Sequence, residues 1–312
     1  MIRNATFSIT NRCNSRCKIC NIWKTTDFSD ELSLSQIKEL FSKPYFQDLD
    51  TISITGGEPF LRKDLTEIIK LAKNILPKLK RIFLNTNATI IEPVLDVCKL
   101  CTSLFSETIL SISLDGTETV HNSLRGINNY KNVLLLIDRA SSIKGLKVSL
   151  SMTISKGNCS YDELQHVHKL AQKYNTMFSF RFADMSKTYY KNEDIDLSLS
   201  EEKKHIVSKY ISENGLDNEF LAVLKEYIET KKVPFIVDEN GCNHCLAGKE
   251  FIFIHPNGSV SPCLYSSQKI NIDSKPPQEV ELGKFERCPC CTDCAIYPIL
   301  EYKKNLEKEQ KC

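Results

Sequence analysis

The sequence lacks any long hydrophobic run. None of its apolar stretches approaches the about 18 residues that a membrane-spanning helix needs. The first residues, Met1 to Thr6, contain no apolar core of an export signal. No internal repeat or low-complexity tract is visible. We therefore expect a cytoplasmic protein with no membrane partner.

An excess of charge of one sign is also missing. The chain has 41 Lys and Arg against 39 Asp and Glu, a formal net charge of +2. So small a surplus argues against nucleic acid or an anionic membrane as a partner. With 312 residues, 41% hydrophobic and 26% charged, the composition is that of an ordinary globular protein with one large domain and room for a small annex.

Cysteine, by contrast, is abundant. The chain carries 14 cysteines, which in the cytoplasm favour metal ligation or catalysis over a disulfide framework. More than half of them lie after Pro234, in a segment with many glycines and prolines and little helical pattern. Cys98 and Cys101 fall on one predicted helix, where small buried hydrophobic residues fit, and we expect them in the core.

Short β-branched runs alternate with amphipathic stretches through the first part of the chain, which predicts a parallel sheet with helices outside it. The predicted strands are Ala5–Thr10, Thr51–Thr55, Arg81–Asn85, Ile109–Leu114, Lys147–Ile154 and Met177–Phe182. The predicted helices are Ser35–Phe41, Asp64–Ile75, Ile91–Phe105, Asn129–Ile143 and Ser160–Tyr174. The fold class expected is α/β, a partial (β/α)6 TIM-like barrel with a small C-terminal cysteine-rich cluster-binding domain, in which the chemistry sits at the C-terminal ends of the strands. We expect the barrel at 1–190, a helical linker at 191–232 and the cluster domain at 233–312.

Three cysteines follow the first predicted strand in the spacing CxxxCxxC: Cys13, Cys17 and Cys20. Three thiolates in one short loop can bind three irons of a cubane cluster, so that the fourth iron remains open to a substrate or cofactor. A structural zinc site is the alternative, although such sites normally have four protein ligands. The spacing favours the cluster.

A second motif, Gly56-Gly57-Glu58-Pro59, follows the second predicted strand. Two glycines allow the backbone to approach a ligand closely, and a carboxylate there can pair with a ligand ammonium group. Such a turn alone is a weak signal. In a barrel, however, it would lie at the same mouth as the cysteine loop, and the two motifs together are specific.

With these motifs the sequence resembles the radical S-adenosylmethionine (SAM) superfamily from Ala5 to about Asp184. The segments Leu84–Asn87, Ser111–Gly116 and His121–Gly126 also fit the family pattern. The resemblance implies that Cys13, Cys17 and Cys20 hold a 4Fe-4S cluster, whose open iron takes the amino and carboxylate groups of SAM. It further implies a set of cofactor-binding residues: Gly56, Gly57, Glu58, Pro59, Asn87, Ser113, Asp115, Arg125 and Ser151.

The C-terminal cysteines form a third group. Cys245 and Cys263 enclose a predicted hairpin with a Pro-Asn-Gly turn, and the CxxC pair Cys291 and Cys294 follows. This segment resembles the SPASM/Twitch auxiliary-cluster domain, which implies a second 4Fe-4S cluster on these four residues. Other CxxC pairings through Cys242 or Cys288 and a zinc knuckle stay open. The cysteines then left over include a candidate hydrogen-atom donor: Cys242, Cys288, Cys290 or Cys312.

The function expected is reductive cleavage of SAM to a 5′-deoxyadenosyl radical, which abstracts hydrogen from a peptide or natural-product substrate. Oxidation or epimerisation of that substrate would follow, and the electron would come from a donor such as flavodoxin or ferredoxin. The alternatives are a sugar or aminocyclitol dehydrogenase or epimerase of the same superfamily, and a non-enzymatic iron–sulfur or zinc protein. The absence of a Gly-Gly tail argues against the molybdenum cofactor cyclase. The predicted barrel begins within a few residues of Met1, so we expect no fused N-terminal peptide-recognition module.

Overall fold

The computed structural model describes residues 2–216, 224–225, 228–229 and 247–273. The strands in chain order are β1 (Asn4–Ser8), β2 (Thr51–Thr55), β3 (Arg81–Thr86), β4 (Glu107–Ser113), β5 (Leu146–Ile154), β6 (Met177–Phe182), β7 (Phe251–Ile254) and β8 (Val260–Ser261). The α-helices are α1 (Leu34–Ser42), α2 (Leu65–Ile75), α3 (Glu92–Leu104), α4 (Glu118–Arg125), α5 (Tyr130–Ser141), α6 (Tyr161–Lys173) and α7 (Glu201–Glu213).

The strands form one sheet in the order β6-β5-β4-β3-β2-β1-β7-β8. Strands β1 to β6 are parallel neighbours in chain order, and each is followed by at least one helix before the next strand begins. The predicted α/β partial barrel is confirmed. Every predicted strand and helix of the barrel is present, with ends that differ from the prediction by two residues or fewer.

The helix starts follow local capping chemistry. Ser33 begins α1 with a capping box to Gln36, and the Ser160 side chain accepts from the Glu163 amide at the start of α6. The short helix α4 was missed in the sequence because it is mostly polar and buries only His121 and Leu124. Without an apolar stripe its 3.6-residue period is hard to recognise.

Alternate residues of the strands face two different environments. One face is apolar and packs against the helices in a single core, to which every strand from β1 to β8 contributes buried side chains. The opposite face carries small hydroxyl side chains in neighbouring registers, so it does not fill the space in front of the sheet as the Val, Ile and Leu layers of a closed barrel do. These hydroxyl side chains are Ser53, Thr55, Ser111, Ser113, Ser149, Ser151, Thr153 and Ser179.

Strand β7 extends the barrel sheet. It pairs in parallel with β1 and in antiparallel fashion with β8, which confirms the predicted hairpin around Pro256, Asn257 and Gly258. The sheet therefore continues into the segment that the sequence assigned to a separate C-terminal domain, and the domain boundaries stay a prediction. Among the described residues, no helix is both long enough and apolar enough to cross a membrane.

Candidate active site

The cysteine loop leaves the C-terminal end of β1 and lies against the end of β2. The amide of Gly57 donates to Thr10 O at 2.7 Å, and the amide of Glu58 donates to Arg12 O at 2.7 Å. A Cβ atom on Gly56 would lie 2.3 Å from Thr10 O, and one on Gly57 would lie 2.2 Å from Arg12 O. The two glycines are therefore required for the contact between the motif and the cysteine loop itself.

Glu58 lies at the centre of this contact and is 1% exposed. Its carboxylate accepts hydrogen bonds from the Asn87 amide at 2.6 Å, the Thr86 hydroxyl at 3.1 Å and the Phe60 amide at 3.3 Å. Burial raises the pKa of this carboxyl to about 7, although the three donors oppose the shift. Pro59 begins the single 3-10 turn that follows. Glu58 thus joins the end of β2 to the end of β3.

Asn87 joins the end of β3 to the cysteine loop. Its side-chain amide donates to Asn14 Oδ1 and Ser15 Oγ, each at 2.9 Å, and its side-chain oxygen accepts from the Thr89 amide at 3.0 Å. The main-chain carbonyl of Asn87 accepts from Asn129 Nδ2 at 2.5 Å. Two residues between the first two cysteines are therefore held by a strand that is far away in sequence.

His121 continues the connection to the end of β4. Its Nδ1 accepts from the Asp115 amide at 3.1 Å. Because an amide N–H can only donate, Nδ1 is unprotonated, so Nε2 carries the proton and donates to Asn129 Oδ1 at 3.1 Å. Burial, reinforced by the charge of Arg125, lowers the pKa of His121 to about 4 and keeps the ring neutral near pH 7. Asn129 was not among the predicted site residues, since nothing in its sequence context distinguishes it from a helix-capping asparagine.

Asp115 and Arg125 form a buried ion pair beside Cys17. Arg125 Nε lies 2.6 Å from Asp115 Oδ2, and the Thr153 amide donates to Asp115 Oδ1 at 2.9 Å. The guanidinium also lies near enough to Cys17 to lower the pKa of its thiol. The pair therefore connects the ends of β4 and β5 to a cluster ligand. The positive charge of Arg125 opposes the larger effect of burial, which raises the pKa of the Cys17 thiol.

The end of α4 holds the backbone of the same loop. The amides on either side of Cys17 donate to helix carbonyls, from Arg16 to Arg125 O and from Lys18 to Leu124 O, each at 2.9 Å. Gly126 caps the helix at φ 62°, where a Cβ atom would lie 2.4 Å from Arg16 O. Only glycine permits so close a contact at this point.

Ser113 and Ser151 are paired residues of β4 and β5 on the hydroxyl-bearing face. Both remain partly exposed, as do the three loop cysteines. Ser113 lies two residues before Asp115, and Ser151 lies two residues before Thr153. The predicted cofactor-binding residues therefore lie on β4 and β5, on the turns after β2, β3 and β4, and, for Arg125, at the end of α4.

The loop cysteines fit a metal cluster by their chemistry. Burial raises the pKa of the Cys13 thiol to about 11 and that of Cys20 to about 12, and it raises the pKa of Cys17 as well. Three neighbouring thiols in this environment become thiolates only when cations bind them. Within the described ranges, no three His, Cys, Asp or Glu side chains are placed to hold a single metal ion.

Cys263 is the described member of the predicted auxiliary ligand set. It is 3% exposed and follows β8, and the Ser261 hydroxyl donates to its carbonyl at 2.9 Å. The next residue, Leu264, belongs to a small apolar cluster with Ile22 and Tyr189, against which Cys20 also packs. Cys242, Cys245, Cys288, Cys290, Cys291, Cys294 and Cys312 lie outside the described residues.

Comparison with known proteins identifies the class. The model of the radical SAM superfamily matches residues 7–171, slightly more than half of the chain. The chain belongs to the radical SAM superfamily, whose cofactors are SAM and a 4Fe-4S cluster. The matched region contains the cysteine loop, the turn after β2 and the whole buried connection from Glu58 to Arg125.

Two curated relatives represent different reactions. The antilisterial bacteriocin subtilosin biosynthesis protein AlbA of Bacillus subtilis is 26% identical over 270 residues, which cover 83% of this chain and 54% of AlbA. GTP 3′,8-cyclase of Clostridium botulinum is 26% identical over 276 residues, which cover 85% of this chain and 82% of the cyclase. The chain thus spans about half the length of AlbA and most of the cyclase.

Solved structures share the fold at low identity. Streptococcus suis SuiB bound to the precursor peptide SuiA superimposes with a TM-score of 0.62 at 15% identity, covering 88% of this chain and 63% of that chain. The enzyme anSMEcpe with bound AdoMet gives a TM-score of 0.65 at 17% identity, covering 88% and 79%. These likenesses extend the agreement in fold beyond the matched family region.

The buried carboxyl of Glu58 predicts a pH-dependent stability. Its folded pKa of about 7 lies above the unfolded value of 4.5, so the folded state binds the extra proton and stability falls as the pH rises between these values. Relative to the Glu58→Gln variant, the wild-type protein should lose about 2 kcal/mol of unfolding free energy between pH 5 and pH 7. Urea unfolding of the iron-free proteins measures this difference, and parallel pH profiles would contradict it.

The two hydrogen bonds of His121 can be separated by substitution. His121→Ala should lower the unfolding free energy by about 2–4 kcal/mol, because it leaves the buried Asp115 amide and the Asn129 carbonyl unpaired. Asparagine can replace the Nδ1 acceptor and glutamine the Nε2 donor, so each should recover part of the loss. The exposed His205→Ala is the control and should change the unfolding free energy by less than about 0.5 kcal/mol. Equal stability of all three His121 variants would contradict the two-bond arrangement.

Proposed function

We propose that this protein binds a 4Fe-4S cluster through Cys13, Cys17 and Cys20 and uses it, with SAM, to abstract hydrogen from a peptide or related natural product. When bound, the cluster supplies the electron that cleaves SAM to methionine and a 5′-deoxyadenosyl radical. The observation that carries the proposal is the cysteine loop, which is held by buried polar groups from the ends of four parallel strands.

The residues around the loop would hold SAM. Glu58 and the backbone of Gly56 and Gly57 would receive the methionine ammonium, while Arg125 would receive the carboxylate and Ser113 and Ser151 the ribose. In the present geometry Glu58 and Arg125 already have protein partners. Their part in binding SAM is therefore to share existing hydrogen bonds, with Asn87 and Asp115 holding them in place.

Two observations support a peptide as the substrate. The relative AlbA is named for the biosynthesis of subtilosin, a bacteriocin, and it aligns with 83% of this chain. Folds like this one have been solved with peptides bound, as in SuiB with SuiA and anSMEcpe with the Kp18Cys peptide. The hydroxyl-bearing face of the sheet also offers many hydrogen-bonding groups to a polar chain.

A second candidate is a reaction of a small molecule. GTP 3′,8-cyclases align with 85% of this chain and over most of their own length, and the sugar and aminocyclitol enzymes of the superfamily remain in the same class. The polar face of the sheet suits a nucleotide or a sugar as well as a peptide. Stimulation of SAM cleavage by GTP would favour this candidate over the peptide.

The substrate radical has two chemical fates. It can lose an electron to an auxiliary cluster on Cys245, Cys263, Cys291 and Cys294, which gives an oxidised product. Alternatively, it can take a hydrogen atom from a thiol, which gives an epimer. We favour oxidation, because four cysteines close a cluster without any ligand from the substrate. The role of Cys242, Cys288, Cys290 or Cys312 as a hydrogen donor stays a prediction.

Removal of the three loop thiols tests the proposed function. Anaerobically reconstituted and reduced protein should convert SAM to 5′-deoxyadenosine and methionine, slowly even without a substrate. The variant Cys13→Ala/Cys17→Ala/Cys20→Ala should lose this activity completely, since no other group in the loop can bind the irons. Liquid chromatography of 5′-deoxyadenosine provides the measurement, and undiminished turnover would defeat the assignment.

A matched control removes three cysteines elsewhere. Cys98, Cys101 and Cys159 are buried outside the loop, so their joint replacement by Ala should lower the melting temperature through lost packing. It should leave SAM cleavage per folded molecule unchanged. Equal loss in both triple variants would show that the effect comes from folding.

The iron content tests the auxiliary cluster. Two fully loaded 4Fe-4S clusters give about eight irons per chain. The loop triple variant should keep about half of this iron and a cluster-like absorption, whereas Cys263→Ala in the wild-type background should keep the SAM-cleaving cluster. Zinc in place of iron in the loop variant, or no metal at all, would contradict the second cluster.

A further inference from the structure

The start of the chain is basic although the whole protein is nearly neutral. From Met1 to Thr26 there are five Lys and Arg and no Asp or Glu, in a chain of net charge +2. Four of these cations lie in or just after the cysteine loop, and all four side chains are exposed. We refer to Arg12, Arg16, Lys18 and Lys24 as the cluster-loop ridge.

The cations of the ridge are held in fixed positions. The Arg16 guanidinium donates to Cys13 O at 3.2 Å and Ser15 O at 3.1 Å, and it lies 5.2 Å from the ring centre of Trp23. Lys24 Nζ lies 5.6 Å from the same ring. Side chains that are already ordered lose less conformational entropy when a partner binds. The ridge is therefore a preorganised positive surface.

Little negative charge compensates the middle of the ridge. At its two ends Arg12 lies 3.7 Å from Glu31 and Lys24 lies 3.8 Å from Asp194, and exposed pairs of this kind contribute little. Lys18 donates to the Ser123 hydroxyl at 2.8 Å. Among residues 2–216 and the other described positions, no carboxylate forms a salt bridge with Arg16 or Lys18. These two cations are therefore available to an acidic partner.

The same two residues flank Cys17 directly in the chain. Consecutive Cα atoms are about 3.8 Å apart, so a protein that contacts Arg16 and Lys18 comes within one residue of a cluster ligand. The Trp23 indole, which contacts two cations of the ridge, also donates to Cys17 O at 3.4 Å. A partner at this surface would be close enough to exchange electrons with the cluster.

We propose that the cluster-loop ridge is the docking surface of an acidic one-electron carrier protein of the flavodoxin or ferredoxin type. This inference rests on the proposed function, because it assumes the cluster on Cys13, Cys17 and Cys20. One electron passes from the reduced carrier to the cluster, so the carrier is oxidised by one electron and no covalent bond changes in the chain. Complementary charge steers such encounters and accelerates them at low ionic strength.

Charge reversal tests the ridge. The variant Arg16→Glu/Lys18→Glu should reduce SAM at least ten times more slowly than the wild type when reduced flavodoxin is the donor at low salt. With reduced methyl viologen, a small cation that needs no docking surface, Lys18→Glu alone should keep the wild-type rate, because its side chain contacts only the Ser123 hydroxyl. Added salt should slow the wild type with flavodoxin and have little effect on the double variant. Equal rates with flavodoxin in variant and wild type would overturn the proposal.

A matched control reverses two charges on α6. Lys169 bonds a neutral neighbour, Gln165, and Lys173 lies 4.9 Å from the ring centre of Tyr174, so the pair resembles Lys18 and Arg16 in its contacts. Lys169→Glu/Lys173→Glu should keep the wild-type rate with flavodoxin. A similar loss in this control would show that net charge, and not the ridge, determines the rate.

A binding measurement separates the ridge from catalysis. Calorimetric titration of iron-free protein with oxidised flavodoxin should show at least tenfold weaker binding for Lys18→Glu, whose side chain contacts only a serine hydroxyl. Lys18→Glu alone still tests the ridge if Arg16→Glu disturbs the cysteine loop. Unchanged binding would overturn the proposal, as would an effect confined to the KM of an acidic precursor peptide. A wild type that never cleaves SAM would defeat the proposed function, while the titration would still test the ridge.

Discussion

One buried run of hydrogen bonds holds the site together. It passes from Glu58 through Asn87, Asn129 and His121 to Asp115, where the ion pair with Arg125 continues it to Cys17. These residues come from the turns after β2, β3 and β4, from α4 and from the start of α5, so the packing of α4 and α5 against the sheet brings them together. Because a buried polar group that loses its partner costs about 1–3 kcal/mol, the members stabilise one another. The positions of the three cysteines follow from this connection and not from the loop itself.

The direction of the hydrogen bonds explains why neutral side chains occupy the middle of this run. A neutral imidazole between a donor and an acceptor satisfies both without a buried charge, which a lysine or a carboxylate could not do. Asn129 continues the hydrogen bonds in the same direction. Its side-chain oxygen accepts from His121, and its side-chain nitrogen donates to the main-chain oxygen of Asn87. The ionisable groups Glu58 and Arg125 lie at the two ends of the run.

The sequence predicted the barrel well, but it predicted poorly the buried hydrogen bonds that run from Glu58 to Arg125. The reason is physical. Strands such as Thr51–Thr55 and helices such as α6 have local signals, in the alternation of apolar residues and in caps like Ser160. The cysteine spacing and the Gly-Gly-Glu-Pro turn are local as well. Asn129 and the neutral state of His121 depend on partners that are distant in sequence, and no local pattern contains them. The same holds for β7, whose place beside β1 was not expected because its parallel partner lies almost the whole chain away.

Two kinds of cation surround the cysteine loop, and burial separates their roles. Arg125 is buried with Asp115, and its charge favours the Cys17 thiolate, although burial still raises the pKa of this thiol overall. Arg16 and Lys18 are exposed on either side of the same cysteine, where water and salt screen their effect on the sulfur. An effect on the Cys17 thiolate therefore cannot explain the presence of Arg16 and Lys18. A charge that is screened from the interior still acts on a partner at the surface, and this argues that the outer cations serve recognition while the inner one serves the cluster.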